Sequence, residues 1–211
     1  GAFEKVTFNI PNPEVVESFN TSLPLAQKTA ADILLSTDPD ADRIGIMVDH
    51  RGQWLFLTGN EIAIILTNYA VNRLRAAGRL TPQRVIVKTD VTTALIDTMA
   101  RANNITCIGD LLVGFKYVAE EMNKLEAAGR GSDFIFGCEE SHGYLTGTYA
   151  RDKDAASAAV WIAEYAAELK RQDRTLVDAL DEIYSTYGYC HNYLTEIRLL
   201  GAKGMEQIAA I

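Results

Sequence analysis

The sequence predicts an α/β fold built from two three-layer units, each with a mixed, mostly parallel sheet covered by helices. Short apolar runs of strand length alternate with longer stretches of helical periodicity through most of the 211 residues. Two of the apolar runs lead directly into polar loops, and open α/β sheets bind their ligands at such positions. We therefore expect a functional site along the carboxyl ends of the strands.

The first part of the chain, residues 1–57, predicts a loop, a short helix and three strands. Prolines and asparagines punctuate residues 1–23, so residues 10–14 are expected to form an extended loop, followed by a short helix over 24–31. Strands are then expected over 32–36, 44–48 and 53–57. The Arg51-Gly52 pair between the last two strands indicates an antiparallel hairpin.

The larger part of the chain, residues 58–190, predicts a second unit with regular strand–helix alternation. The expected strands cover 84–88, 105–108 and 133–137, and the expected helices cover 60–77, 92–103, 115–128, 154–171 and 175–186. Thr175 begins the last helix with Asp178 three residues later, which is a variant of the capping box. Residues 191–211 begin another strand-plus-helix pattern, which we interpret as the lead-in to a further domain.

The composition is that of an ordinary globular protein and argues against several functional classes. Hydrophobic residues make up 48% of the chain and charged residues 23%. A net charge of −8 disfavours a general nucleic-acid surface, and the apolar runs are too short to span a membrane. Three widely spaced cysteines without a CxxC pair indicate reduced thiols in a cytoplasmic protein. The start at Gly1, without a methionine, indicates an excised fragment or a cleaved tag.

The loop after the first predicted strand carries three carboxylates at alternate positions, Asp38, Asp40 and Asp42. In extended backbone alternate side chains point to one side, and Pro39 bars a helix. The three acids are therefore expected to converge on a hard cation such as Mg²⁺ or Ca²⁺. The adjacent Arg43 suits phosphoryl oxygens, because its guanidinium presents several donors in one plane.

Two other interpretations of this acidic loop stay open. The first is a solvated surface turn. The second is an EF-hand calcium loop, which is disfavoured because its sixth position requires glycine and holds Arg43 here. An apolar strand also follows the loop where an EF-hand needs a helix.

The segment 137–144, Gly-Cys-Glu-Glu-Ser-His-Gly-Tyr, follows the last predicted strand. Acids beside a hydroxyl, such as Glu139 and Ser141, suit vicinal sugar hydroxyls, which both donate and accept hydrogen bonds. Taken alone, the segment is more simply a glycine-flanked turn with solvated acids. His142 is a candidate general base, although a single loop histidine more often only forms hydrogen bonds.

Four further residues carry weaker signals. Arg151 and Lys153 begin a helix, where cations are either balanced by neighbouring acids or held for an anion. Lys88 ends a strand and could reach a phosphate, but an exposed strand-end lysine explains it equally well. Gly114 precedes a helix. The sequence contains no Gly-x-Ser-x-Gly elbow, no Walker A loop and no Gly-x-Gly-x-x-Gly motif.

Taken together and in this order, these motifs resemble the α-D-phosphohexomutase superfamily, which includes phosphoglucomutases and phosphomannomutases. Residues 37–43 are similar to its metal loop and residues 137–143 to its sugar-recognition loop. Residues 113–116 and 151–154 are similar to signatures of its third domain. The branch that the chain most resembles contains bacterial glucolipid-type phosphoglucomutases and mammalian phosphopentomutase-like enzymes, which have an aromatic residue where this chain has His142.

The resemblance implies that residues 1–57 are the back part of domain 2, that 58–190 are domain 3 and that 191–211 lead into domain 4. Domains 1 and 4 of the same polypeptide, with the catalytic phosphoserine, would then lie outside this chain. It also implies a Mg²⁺-dependent isomerase that interconverts hexose 1-phosphate and hexose 6-phosphate through phosphoserine and a hexose 1,6-bisphosphate. The fragment alone is expected to be inactive.

Residue roles follow from the same resemblance. It places Mg²⁺ on Asp38, Asp40 and Asp42. It places a small-molecule sugar phosphate on Gly114, Glu139, Ser141, Arg151 and Lys153. Catalytic roles in proton transfer or in stabilising the phosphoryl group fall to Arg43, Lys88 and Lys153. The alternatives are a non-catalytic module that binds cations and sugar phosphates, and a calcium-sensing domain.

Overall fold

The computed structural model describes residues 3–7, 11–193, 201, 204, 207 and 208 of the chain. It contains a sheet of three strands and a sheet of four strands, and one apolar core connects them. The extended loop predicted over 10–14 is described only from residue 11. The strand-plus-helix pattern predicted over 191–211 lies largely outside the described residues.

The first sheet is formed by the segment before residue 58. It contains β1 (Ile33–Thr37), β2 (Ile44–His50) and β3 (Gln53–Leu57) in that order, and both pairings are antiparallel. The predicted α/β class is confirmed, but this sheet is antiparallel rather than mostly parallel, because connections this short cannot join parallel strands. Arg51 and Gly52 both have positive φ, 56° and 88°, as a type I′ hairpin turn requires.

The second sheet confirms the predicted parallel arrangement. It contains β4 (Val85–Thr89), β5 (Thr106–Leu111), β6 (Phe134–Glu139) and β7 (Gly143–Leu145) in the spatial order β5-β4-β6-β7. The central strand β4 is parallel to both neighbours, and β7 is antiparallel to β6. The sequence does not predict β7, because three residues are too few to show a strand period.

The six α-helices between residues 11 and 193 lie within about three residues of their predicted bounds, an error normal for helix ends. They are α1 (Leu23–Lys28), α2 (Gly59–Ala76), α3 (Leu95–Ala102), α4 (Phe115–Ala127), α5 (Ala155–Lys170) and α6 (Leu176–Tyr187). Capping boxes at Thr58 and Thr175 begin α2 and α6, and the second confirms the predicted variant. Among the described residues, no helix is long and apolar enough to cross a membrane.

The two faces of the second sheet pack against different helices. On one face, Val85 and Val87 contact α4 through a small core that includes Phe115. The other face belongs to a larger core, formed with α2, α3, α5 and α6, that also includes Ile46 of the first sheet. Because one continuous core takes in both sheets, the loops that follow β1 and β6 are held in a fixed relation to each other.

Candidate functional site

The carboxylates of Asp38, Asp40 and Asp42 converge in the loop between β1 and β2. One oxygen from each lies within 4.8 Å of the other two. The loop reaches this arrangement as a tight turn, with Ala41 in the left-handed region at φ 55°, and not in the extended form that the sequence predicts. The turn therefore produces the convergence that strand-like alternation was expected to produce.

Asp38 holds this turn from within. One of its carboxylate oxygens accepts the backbone N–H groups of Asp42 and Arg43, both at 3.1 Å, and the other accepts Arg43 Nε at 2.7 Å. Burial favours the neutral acid, but the hydrogen bonds from Arg43 outweigh it, so the pKa of Asp38 is lowered. Asp38 is therefore ionised and oriented without help from a ligand.

Arg43 is held between acids from two parts of the chain. Its Nη1 lies 2.5 Å from a carboxylate oxygen of Glu14, while its Nε contacts Asp38. Sequence reasoning missed Glu14, because a single acid in a proline-containing loop forms no pattern. Gly45 allows the loop that contains Pro13 and Glu14 to lie against β2, since a Cβ on Gly45 would sit 2.1 Å from the carbonyl oxygen of Pro13.

Glu139, at the end of β6, is bonded to the residue that precedes α4. One of its oxygens accepts the backbone N–H of Gly114 at 2.9 Å, and Gly114 has a φ of 125° that favours glycine. Burial raises the pKa of Glu139, and neither the charge of Lys153 nor the bond from Gly114 offsets it. Two residues that the sequence predicts to bind sugar are thus in direct contact.

The acidic loop and the turn 139–142 are joined by backbone pairing between the two sheets. The N–H of Ile44 donates to the carbonyl of His142 at 3.0 Å. Arg43 forms an antiparallel bridge with Gly143 directly beside this bond. The two polar loops are therefore connected directly through their backbones.

His142 belongs to this junction. Its side chain is buried, its Nδ1 donates to the carbonyl of Ile44 at 3.1 Å, and its ring stacks on Phe56 with the centroids 5.8 Å apart. Burial lowers the pKa of His142. The neutral ring, with its proton on Nδ1, therefore acts as a cross-link between the two sheets.

Lys153 connects the same two loops by charge. Its Nζ lies 2.9 Å from an Asp42 oxygen and 3.5 Å from a Glu139 oxygen. The side chain crosses Gly143 so closely that a Cβ there would sit 2.0 Å from the lysine Cδ. Burial alone would lower the pKa of Lys153, but Asp42 and Glu139 outweigh it and the pKa is raised. Lys153 is therefore a firmly charged ammonium between the two loops.

Ser141, Lys88 and Arg151 complete the set of predicted residues. Ser141 is half-buried within the turn 139–142. Lys88 is buried towards α3, with Nζ 3.1 Å from Asp97. Arg151 points to α4, with Nη2 2.5 Å from Glu126. Ser141 thus lies two residues from Glu139 in the turn that meets the acidic loop, and its role stays a prediction. The roles of Lys88 and Arg151 also stay predictions, since their ion pairs are with Asp97 and Glu126.

A large surface groove lies away from these loops. It has a volume of about 710 Å³ and runs between α2, α5 and α6, with Tyr69, Tyr165 and Leu169 among its lining residues. The converging acids are not part of its lining. The groove and the converging acids are therefore separate features of the surface.

Two family models match the chain. The model described as phosphoglucomutase/phosphomannomutase, alpha/beta/alpha domain II, matches residues 1–52. The model for alpha/beta/alpha domain III of the same family matches residues 58–187. The first match contains the acidic loop, and the second contains the turn 139–142.

Similar proteins include the phosphoglucomutases of two Staphylococcus aureus strains, bovine RF122 and USA300, which are 39% and 38% identical to this chain over 201 residues. The alignments cover 95% of this chain and 35% of each relative, so the chain spans about a third of their length. Among solved structures, a protein from Thermus thermophilus matches with a TM-score of 0.65 and 23% identity, over 84% of this chain and 36% of that one. Paramecium pp63/parafusin matches with a TM-score of 0.61 and 20% identity, over 85% and 30%. At these identities the structural matches show the fold alone.

Proposed function

The chain belongs to the phosphoglucomutase/phosphomannomutase family, and from that premise we propose that it is the central part of a Mg²⁺-dependent phosphohexomutase of the cytoplasm. One observation carries the proposal: Lys153 connects the converging aspartates with Glu139. The whole enzyme would interconvert hexose 1-phosphate and hexose 6-phosphate. Three cysteines that form no disulfide support a reducing compartment.

The proposed metal ligands fit a hard divalent cation. Asp38, Asp40 and Asp42 offer one carboxylate oxygen each within 4.8 Å, and Mg²⁺ prefers oxygen ligands. The lowered pKa of Asp38 keeps this ligand ionised despite its burial. When bound, Mg²⁺ would neutralise charge on a phosphoryl group. Arg43 would bind the same group through Nη2, because its Nε and Nη1 are engaged by Asp38 and Glu14.

Sugar recognition is assigned to Glu139 and Ser141. A carboxylate accepts hydrogen bonds from sugar hydroxyls, and a serine hydroxyl can either donate or accept. The N–H of Gly114 already donates to Glu139, so Gly114 would act by orienting this carboxylate. Arg151 would reach a phosphate only after leaving Glu126, and Lys88 only after leaving Asp97.

Lys153 is the proposed cation at the reacting phosphate. It lies between Asp42 and Glu139, at the meeting point of the two loops. Because Asp42 and Glu139 raise its pKa and so hold its proton, Lys153 suits the role of an ammonium that stabilises negative charge, and it suits proton transfer in either direction less well. We therefore assign Lys153 the role of stabilising the negative charge that develops on the phosphoryl oxygens and on the leaving oxygen.

The chain alone is expected to be inactive. In the proposed reaction the phosphoryl donor is a phosphoserine outside this chain, the intermediate is a hexose 1,6-bisphosphate, and the chain spans about a third of its curated relatives. Turnover of glucose 1-phosphate by the purified chain would contradict this expectation. The alternative, a non-catalytic sugar-phosphate module, predicts that the whole polypeptide also binds without turnover.

Metal binding is tested by titration calorimetry with Mg²⁺ and with Ca²⁺. Asp40 is exposed, so Asp40→Asn should leave the melting temperature of the chain unchanged. It should weaken the binding of Mg²⁺ at least about 10-fold. Asp173→Asn is the matched control, because Asp173 is an exposed acid with a positive φ that asparagine tolerates. Equal Mg²⁺ affinity in the Asp40 variant and the control would refute the site. Tight Ca²⁺ binding that Mg²⁺ does not compete with would favour a calcium sensor.

A further inference from the structure

Glu140 is the acid of the turn 139–142 to which neither the metal site nor the sugar site assigns a role. It directly follows β6, and its side chain turns away from the contacts of its neighbour. Glu139 accepts from Gly114 at the start of α4, whereas Glu140 accepts from Thr89 at the end of β4 and from Thr92 in the segment that follows it. The two adjacent carboxylates are therefore anchored to different elements.

The partners of Glu140 are two buried threonine hydroxyls. Thr89 Oγ1 donates to Glu140 Oε2 at 3.0 Å, and Thr92 Oγ1 lies 3.4 Å from the same oxygen. The two hydroxyls are 2.7 Å apart, and both threonines are at most 1% exposed. A buried hydroxyl needs a partner, so this pair and the carboxylate stabilise one another.

Two further contacts hold Glu140 and its threonine partners in position. The backbone carbonyl of Glu140 packs against Gly59 so closely that a Cβ at Gly59 would sit 1.9 Å from its oxygen. On the other side, Lys88 Nζ donates to the carbonyl of Thr92 at 3.1 Å. Glu140 is thus held at its backbone by α2 and at its carboxylate by a threonine that Lys88 supports.

We propose that Glu140 is a positioning residue: through Thr89 and Thr92 it sets the direction of Glu139 and Ser141, and it does not bind the sugar itself. If the Glu140 side chain had no partner, the turn would be fixed only at its backbone. The directions of the Glu139 and Ser141 side chains would then vary. Lys88 contributes indirectly, because it donates to the carbonyl of Thr92 and so holds a residue that contacts Glu140. That Glu139 and Ser141 meet a sugar rests on the proposed function, whereas their placement by Glu140 does not.

The test uses the Gly114 amide as a reporter, because its N–H donates to Glu139. In Glu140→Met, which cannot accept from the threonines, hydrogen exchange of this amide should become at least about 10-fold faster. Glu140→Gln keeps an acceptor oxygen and should stay within about 2-fold of the unchanged chain. The amide of Ala155, which donates to Ala41 on the side of the acidic loop at 3.0 Å, should be unaffected in both variants.

Unchanged exchange at Gly114 in Glu140→Met overturns the proposal. An equal acceleration at Gly114 and Ala155 also overturns it, because that result shows a general loss of stability. Should Glu140→Met fail to fold, Thr92→Val removes one donor and leaves Glu140 in place. It should accelerate Gly114 exchange about 3-fold without affecting Ala155, and no acceleration overturns the proposal.

A ligand titration separates this inference from the proposed function. With glucose 1-phosphate as the probe, Glu140→Met should weaken binding about 10-fold and Glu140→Gln about 2-fold or less. If neither the unchanged chain nor the whole polypeptide binds a sugar phosphate, the proposed sugar site is refuted. The exchange measurement at Gly114 still decides whether Glu140 positions Glu139.

Discussion

The acidic loop and the turn 139–142 form one site, but they are held in place in different ways. The form of the acidic loop is set mainly by Asp38, which bonds Asp42 and Arg43 at most five residues away, and the distant partners Glu14 and Lys153 contact the loop only through side chains. The turn 139–142 depends on distant partners, since Glu140 contacts Thr89 and His142 contacts Ile44. A loop organised by local bonds keeps its form when its surroundings change, whereas a turn organised by distant contacts depends on the packing of the whole molecule.

The largest expected effect comes from Gly59→Ala. The new Cβ would sit 1.9 Å from the carbonyl oxygen of Glu140, and backbone cannot give way as a flexible side chain can. We expect a loss of about 3 kcal/mol in the free energy of unfolding, measured by urea denaturation. Gly78→Asn, at the other end of α2, has open space and a positive φ that asparagine accepts, so it should cost under about 1 kcal/mol. Equal costs would show that the turn is not clamped by α2.

The second effect concerns the cross-link at His142. His142→Asn keeps a residue that tolerates the positive φ of 62°, but removes the ring that stacks on Phe56 and donates to Ile44. We expect a loss of about 2 kcal/mol. His191→Asn, at an exposed histidine, should leave stability unchanged.

The same variant makes a pH prediction. Because the pKa of His142 is lowered in the folded chain, the unfolded chain binds this proton first as the pH falls below about 6.5. The folded chain should therefore lose stability between pH 7 and pH 5.5, and His142→Asn should lose less over the same range. Denaturation curves at three pH values measure the difference. Parallel pH profiles for the two proteins would be inconsistent with a buried neutral His142.

Of the three destabilising substitutions at Gly59, His142 and Asp38, the last, in the acidic loop, has the smallest expected effect. Asp38→Asn replaces one acceptor oxygen by an amide donor, which then faces either Arg43 Nε or the backbone N–H groups. We expect a loss of about 1.5 kcal/mol, because Arg43 keeps its bond to Glu14 and the change stays local. Hydrogen exchange should change in the acidic loop and remain constant at Gly114. Faster exchange at Gly114 would show that the two loops are less independent than their contacts indicate.

The sequence predicts most of the secondary structure because each element carries its own signal. The capping box at Thr175 marks the start of α6, and the Arg51-Gly52 pair marks the hairpin of the first sheet. The features that the sequence does not predict are those without a local pattern. β7 has only three residues, and Glu14 stands alone in its loop, yet both lie at the site.

The sequence by itself determined the chemistry of the site: three converging acids with an arginine, and an acidic turn with a serine, in an order typical of one family. Only the tertiary structure decided how these groups are used. It bonded Glu139 to Gly114, placed Lys153 between the loops, and directed Lys88 towards Asp97 and away from the cluster. The physical reason is that residue type and near spacing fix which bonds a group can form. Which bonds it does form depends on segments that are distant in sequence and brought together by a shared core.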